Sequence, residues 1–326
     1  MLPGWIELVV PDSATGHPYR DSVPDSDRWI DLADPDAAAI DAAIPTALHS
    51  TVAERLRAPA GHDDEPRPRL EAHGDYVFGI LVLPTIDRDG NVTRHEIDVV
   101  ATLDRIVTVR KTPPGENPCD LSDLVASAHR DDTPPGMSLY LLVDEIAERF
   151  LTVVDGFDDE IDELEDNVGG WPPQQVREGI SRLRHEILEV RRVLAPSRDA
   201  ARAVLDNRVE LDGEITLFPR EIELHFADAY DKLLRATDGL DLARDLLAGV
   251  RDFHQAQVAN DQNEVMKRLT VVASVLLLPT FIVGLYGQNL RGVYEFHWAH
   301  GYLFSWGLII VTTIAQLTYF RRKKWI

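Results

Sequence analysis

The spacing of apolar residues changes character along the chain, and each change predicts a different kind of element. Over residues 1–125, short β-rich runs stand at Trp5–Val10, Trp29–Leu32, Tyr76–Leu83, Ile97–Val100 and Ile106–Val109, separated by Asp, Gly and Pro clusters. One alanine-rich stretch, Asp34–Ala43, reads as a helix that Pro45 stops. The segment Asp87-Arg88-Asp89-Gly90-Asn91 reads as a hairpin turn, because Gly and Asn tolerate the positive φ such turns require. The pattern predicts a mixed α/β domain with a small sheet.

From about Ser138 the apolar positions recur every three or four residues, through Leu142, Ile146, Phe150, Val154, Phe157, Ile161 and Leu164. Gly169-Gly170-Trp171-Pro172-Pro173 breaks that helix. Gln174–Asn207 then resumes the period, with Ile180, Leu183, Ile187, Val190 and Leu194 as its stripe. A last helical pattern opens near Pro219 and meets no proline before Pro279. Residues 126–262 are thus expected to hold a helical hairpin and a stalk helix that runs on toward the C-terminus. About 60 residues at a 1.5 Å rise would make that helix about 90 Å long.

Two runs near the C-terminus carry no charge: Leu269–Leu290, of 22 residues, and Phe296–Phe320, of 25. A hydrocarbon core takes about 20 apolar residues in a helix, and buried core helices do not ordinarily come as two consecutive charge-free runs of this length. The pattern therefore predicts the end of the stalk and a first transmembrane helix over 263–290, an outer loop over 291–300, and a second transmembrane helix with a basic tail over 301–326. Lys267 and Arg268 precede the first run and Arg321 to Lys324 follow the second. The positive-inside rule then puts both termini in the cytoplasm, for a multi-pass protein of the inner (plasma) membrane. Trp298, Tyr302, Tyr319 and Trp325 sit near the span ends, as interfacial aromatics do.

Charge separates the two parts further. The chain holds 33 Lys+Arg against 55 Asp+Glu, a net of −22, yet from Asn263 onward seven basic residues face two acids, which leaves −27 for residues 1–262. A body that acidic repels a phosphate backbone, which argues against general nucleic-acid binding. Cys119, the single cysteine, allows no intramolecular disulfide and no cysteine-rich zinc site. The N-terminus lacks a basic segment followed by an apolar run, so no cleaved secretory signal is expected there. The crowded acids from Asp155 to Asp166 read as a solvated helix face, with an electrostatic funnel or low-affinity divalent-cation surface as the alternative. Neither a Gly-x-x-x-x-Gly-Lys loop for ATP nor a Gly-x-Ser-x-Gly elbow for hydrolysis occurs, so the expected function is not enzymatic.

At the end of the first charge-free run stands Tyr286-Gly287-Gln288-Asn289, and Asn263-Glu264-Val265-Met266-Lys267-Arg268-Leu269-Thr270 leads into it. In place and order these segments resemble the CorA family of divalent-cation transporters. That family shows Tyr-Gly-Met-Asn at the outer end of the first of two C-terminal spans, a similar Asn-Glu-x-Met-Lys-x-Leu-Thr entry and a basic tail. Gln288 departs from the commonest Met, at a position that also varies in the ZntB-type zinc transporters of the same superfamily. The resemblance is specific over residues 260–326 and architectural elsewhere. It implies an α+β cytosolic domain, long stalk helices and two C-terminal transmembrane helices, assembled as a homopentameric funnel. The implied cargo is Mg²⁺, with Co²⁺, Ni²⁺ or Zn²⁺ as further ions. A proton-coupled zinc transporter and a non-conducting membrane-anchored sensor or scaffold are the alternatives.

Site residues follow from the same resemblance. Gly287, Gln288 and Asn289 would form the selectivity filter. Mg²⁺ gives up its waters reluctantly, so a ring of Asn289 amide oxygens suits it by accepting hydrogen bonds from the hydration shell instead of stripping it. Gly287 would let the backbone come close to the axis and take unusual dihedrals at the helix end, while Gln288 packs the loop or offers a second amide. Asn263, Met266, Thr270, Ala273, Leu277, Thr280 and Gly284 recur at spacings of three and four and share one helix face. Their spacing alone allows a helix-packing seam; the resemblance makes them pore-lining, with Asn263 and Thr280 as polar stations and Met266 and Leu269 as the narrow part. Glu295, His297 and His300 would gather cations in the outer loop, and a Glu-x-His-x-x-His spacing also suits zinc. Asp228 resembles a regulatory Mg²⁺ ligand on the stalk that faces an acidic residue of a neighbouring subunit, for which Asp87 is the candidate.

Overall fold

A five-stranded sheet of order β1-β5-β4-β3-β2 organises the N-terminal part, with β1 parallel to β5 and every other pair antiparallel. The structure is a computed structural model that describes residues 28–44, 47–61, 66–86, 90–287 and 300–326. The run Trp5–Val10, the turn residues Asp87 to Asp89, and Gln288, Asn289, Glu295, His297 and Trp298 lie outside the described residues. The elements are β1 (Trp29–Ala33), α1 (Ala37–Ala43), α2 (Ser50–Arg57), β2 (Arg69–Ala72), β3 (Val77–Ile86), β4 (Val92–Ala101), β5 (Ile106–Lys111), α3 (Ser122–Arg130), α4 (Pro135–Asn167), α5 (Pro173–Leu205), α6 (Arg220–Gly287) and α7 (Gly301–Arg322). Two compact units divide them: one within Met1–Phe157 and Glu186–Leu242, the other within Asp158–His185 and Ala243–Ile326.

Residues 77–83 of β3 are buried without alternation, which marks a strand covered on both faces. One face meets α1 and α2, where Ile40, Val52 and Leu56 pack with Phe78, Ile80, Val100 and Val109. On α5, Glu189 reaches Arg94 of β4 at 2.5 Å. Helix α1 starts at Ala37, later than the alanine-rich run suggests. Asp34 takes a φ of 45°, and Asp36 is the N-cap, its carboxylate accepting from the Ala39 N–H at 2.8 Å. Three elements had no sequence expectation. Strand β2 has four residues and α3 buries only Ala128, too little for a period to show. Helix α2 is amphipathic through Val52 and Leu56, and His49 caps it in place of the usual Ser or Asp.

The helical part follows the sequence pattern closely. Helices α4 and α5 are broken at Gly169–Pro172, where the Asn167 carbonyl accepts from the N–H groups of Gly170 and Trp171, both at 2.9 Å. Helix α5 begins one residue earlier than expected because proline suits a first helical position, and it ends before Asn207, whose φ of 52° is left-handed. Helix α6 is one unbroken element of 68 residues. It runs through Pro279, although the proline ring cannot donate to the Val275 carbonyl four residues back. Helices α6 and α7 are each long and apolar enough to cross a membrane, and their most apolar windows are only 11% and 6% buried. A soluble core helix would be mostly covered.

Candidate functional site

Between Arg220 and Val250, α6 buries Ile222, Phe226, Ala229, Leu233, Ala236, Leu240, Ala243, Leu247 and Val250. These alternate steps of four and three are the heptad spacing of a packed helix seam. Beyond Val250 the burial stops. Every residue from Ala259 to Thr270 is exposed, and the next buried side chains are Val271 and Ile282.

The eight stripe residues, Asn263, Met266, Leu269, Thr270, Ala273, Leu277, Thr280 and Gly284, are all exposed on α6. Val271, Ser274, Val275, Leu278, Pro279 and Ile282 are buried or half-buried. At 3.6 residues per turn the centres of these two sets lie roughly 150° apart around the helix. Helix α7 meets the covered side, where Gln316 Nε2 donates to the Ser274 carbonyl at 3.3 Å. Among the described residues the stripe is thus left bare, apart from its inner end, where Trp325 borders a cavity with Asn263, Met266 and Thr270.

Both threonines of the stripe spend their protons on the helix: Thr270 Oγ1 donates to the Met266 carbonyl at 2.8 Å and Thr280 Oγ1 to the Leu276 carbonyl at 2.6 Å. That satisfies the donor and leaves each oxygen with lone pairs facing outward. Such an oxygen accepts hydrogen bonds, which is what the outer hydrogens of a hydrated cation offer. Gly287 ends α6 without a positive φ, and a Cβ there would meet open space. Among the described residues nothing crowds that position, so the role expected of Gly287 at the helix end is left to the assembled protein.

The remaining candidates are scattered. His300 occupies the N-cap position of α7 without a side-chain cap bond. Asp228 is exposed on α6, one turn before Lys232, which pairs with Asp144 at 2.8 Å and Glu148 at 2.6 Å. Burial alone would lower the Lys232 pKa, and the two carboxylates outweigh it, so the pKa is raised. Burial, then Asp144, raises the neighbouring Tyr140, whose ring lies 5.0 Å from that of His225. The acids from Asp155 to Asp166 flank the buried Ile161 and Leu164, and Glu160 pairs with Arg182 at 2.6 Å. Among the described residues no three His, Cys, Asp or Glu side chains converge as metal ligands.

A second charged site escaped the sequence. In the sheet, Lys111 Nζ pairs with Glu96 at 2.7 Å and Asp98 at 2.6 Å and donates to the Arg55 carbonyl at 2.9 Å, while Arg55 also reaches Glu96 at 2.9 Å. Burial pushes Asp98 up to about 7 against the pull of Lys111. Burial likewise lowers His95. Glu96 and Asp98 stand two apart on β4 and so share a face. The β-rich run Ile97–Val100 does not by itself mark that face as covered, and α2 covers it.

The family model described as CorA-like Mg²⁺ transporter protein matches residues 26–322. The cobalt/magnesium transport protein CorA of Thermotoga maritima is 27% identical over 267 residues, 80% of this chain and 73% of the relative. The divalent cation transporter CmaX of Pseudomonas aeruginosa is 24% identical over 278 residues, covering 81% of this chain and 78% of its own. In fold, the complete CorA magnesium transporter of Methanocaldococcus jannaschii superposes with a TM-score of 0.70 at 21% identity, over 91% of each chain. With its α/β domain, unbroken long helix and two apolar C-terminal helices, this chain belongs to the CorA-like family of divalent-cation transporters.

Proposed function

We propose that the chain assembles as a homopentamer whose α6 stripes line a pore for Mg²⁺ uptake across the inner membrane, both termini being cytoplasmic. The observation that carries this reading is the bare stripe itself. Polar side chains facing lipid are costly, and in a ring of copies Asn263, Thr270 and Thr280 would face water instead. The inward direction follows from the membrane potential, worth about 2.3 kcal/mol per charge per 100 mV. The relatives' names, a cobalt/magnesium transport protein and a divalent cation transporter, support Mg²⁺ with Co²⁺ as a second ion.

In this reading Gly287, Gln288 and Asn289 select the hydrated ion at the outer end. Glu295, His297 and His300 gather cations before it. Met266 and Leu269 narrow the inner half, where apolar walls disfavour a continuous water column. Asp228 and a neighbour's Asp87 close the pore when internal Mg²⁺ bridges them. A bridging ion favours closure only through its higher affinity for the closed arrangement. The activity is transport, with no catalytic step.

Flux into proteoliposomes, compared for Mg²⁺, Co²⁺, Ni²⁺ and Zn²⁺ with and without a pH gradient, tests the reading. Mg²⁺ entry independent of the gradient, and lost in Asn289→Ala with assembly intact, is the expected result. Zinc entry that needs the proton gradient would replace it with the proton-coupled alternative, and no flux of any ion would leave the sensor or scaffold.

A further inference from the structure

We infer that the inner end of the two apolar helices is a binding site for the phosphate of an anionic lipid, held by Lys267, Arg268 and Lys324 beside Trp325. The inference rests on the membrane-spanning reading above. Helix α7 does not simply fray at its end. Lys324 takes a φ of 57°, a left-handed value uncommon outside glycine and asparagine, and the Trp325 N–H returns to the Phe320 carbonyl at 3.0 Å. The Trp325 ring then stacks on Phe320, with centroids 5.7 Å apart and planes 17° apart. The reversal directs the tail back to α6.

Between the tail and α6 lies a cavity of about 570 Å³, within the roughly 300–1,000 Å³ range of small-molecule sites. Its walls are graded. Lys267 and Arg268 come first along α6 and Lys324 faces them from the tail; one turn further into the apolar run stand Val271 and Val272. A phosphate over the start of an acyl chain has the same gradation, and an indole belongs at that level of a membrane. The cations are poorly neutralised: among the described residues Lys267 and Lys324 have no ion-pair partner, and Arg268 reaches only Glu264, at 3.6 Å. Of the lining side chains, which include Ile326, only Glu264 is acidic, so they carry net positive charge.

The cavity also lies on the right side of the helix. At 3.6 residues per turn, Lys267, Arg268, Val271 and Val272 are centred roughly opposite the bare stripe. In a ring of copies around the stripe these four residues would face outward, toward lipid, while Trp325 also borders a cavity with Asn263, Met266 and Thr270 on the stripe side. Inorganic phosphate could satisfy the cations but gains nothing from Val271 and Val272, whereas an anionic lipid uses both walls; a zwitterionic headgroup brings a cation of its own.

The test is lipid retention. The full chain is reconstituted into phosphatidylcholine vesicles with or without phosphatidylglycerol, re-extracted in detergent, and its bound lipid counted by native mass spectrometry. The parent should retain phosphatidylglycerol over phosphatidylcholine, and K267Q/R268Q/K324Q should lose about ten-fold of that preference, as three interfacial charges allow. K324Q alone, outside α6, should lose part of it. R321Q/R322Q removes two charges that do not line the cavity and should keep the preference. Equal losses in the triple and the R321Q/R322Q variants would reduce the site to diffuse surface charge and overturn the inference, as would an unchanged preference in the triple variant. Displacement of the lipid by millimolar inorganic phosphate would make it a free-anion site instead. Cation flux is read in the same vesicles: flux without lipid preference removes this inference alone, and lipid preference without flux removes the transport reading alone.

Discussion

The two halves of α6 solve opposite problems with the same backbone. In its first half a heptad of apolar residues is sealed, Phe226 being 0% exposed; in its second half Leu277 is 74% exposed on a helix that is more apolar still. Hydrophobicity therefore does not tell which residues this chain buries in itself. The first half meets α4 and α5 and is complete as a core seam, so its contribution is felt as stability. The second half has one side against α7, and among the described residues the stripe is uncovered except at its inner end, where Trp325 borders a cavity with Asn263, Met266 and Thr270. What completes it is outside the chain: lipid on one flank and, in the proposed assembly, other copies around a water-filled axis.

Truncation should separate the two halves of α6 most sharply. Phe226→Ala is expected to cost about 3–5 kcal/mol in unfolding of the full chain in detergent, whereas Leu277→Ala should stay within about 0.5 kcal/mol yet alter cation flux. Equal costs would mean that the second half is already a finished core. Burial leaves a further mark on the sealed part. Asp98 is 0% exposed and titrates near 7, not near its ordinary 3.8. The folded state holds that proton more tightly, so the contribution is full below about pH 4 and is lost as pH rises through 7. Thermal unfolding at pH 5 and pH 8 should differ by on the order of 3 kcal/mol from this group, and Asp98→Asn should flatten the difference. An unchanged slope would assign the pH dependence elsewhere.

Smaller effects sharpen the bare half. Met266→Ser and Leu269→Ser should each raise resting leak several-fold by wetting the narrow part, measured as ion efflux from proteoliposomes at high internal Mg²⁺. Flux unchanged in both variants places the constriction elsewhere. Asp228→Ala should shift the Mg²⁺ concentration that protects the stalk from protease upward by a few-fold, while Asp228→Lys keeps protection with less Mg²⁺ because a fixed cation replaces the bridging ion. Protection of the Ala variant at the parent's concentration removes Asp228 as the sensor.

Long-period features were legible in the sequence. The stripes of α4 and α5, the break at Gly169–Pro173 and the unbroken run from Pro219 past Pro279 all rest on repeated local signals, and the two charge-free runs needed only counting. Features that depend on distant partners were not. The parallel pairing of Trp29 with Ile106 joins strands far apart in sequence, and the Lys111–Glu96–Asp98 cluster has no signature beyond alternation until α2 covers it. At the site, the period placed seven of the eight stripe residues on one face, and Leu269 joined them only through the resemblance. The period could not say that this face is the bare one, because seams and pore walls share the same spacing. Nor did residue types reveal the αL turn at Lys324, where a stacked indole overrides the preference for glycine.

Transport through this chain turns on whether the bare stripe faces the ions. Cys119 is buried, so introduced thiols can be read against a quiet background. Ala273 and Val272 are neighbours in the chain and both exposed, yet only Ala273 belongs to the stripe. A membrane-impermeant cationic thiol reagent should stop Mg²⁺ flux through proteoliposomes carrying Ala273→Cys or Thr280→Cys and leave Val272→Cys conducting. Block through Val272→Cys, with Ala273→Cys and Thr280→Cys untouched, would contradict the assignment and put the pathway on another face of α6.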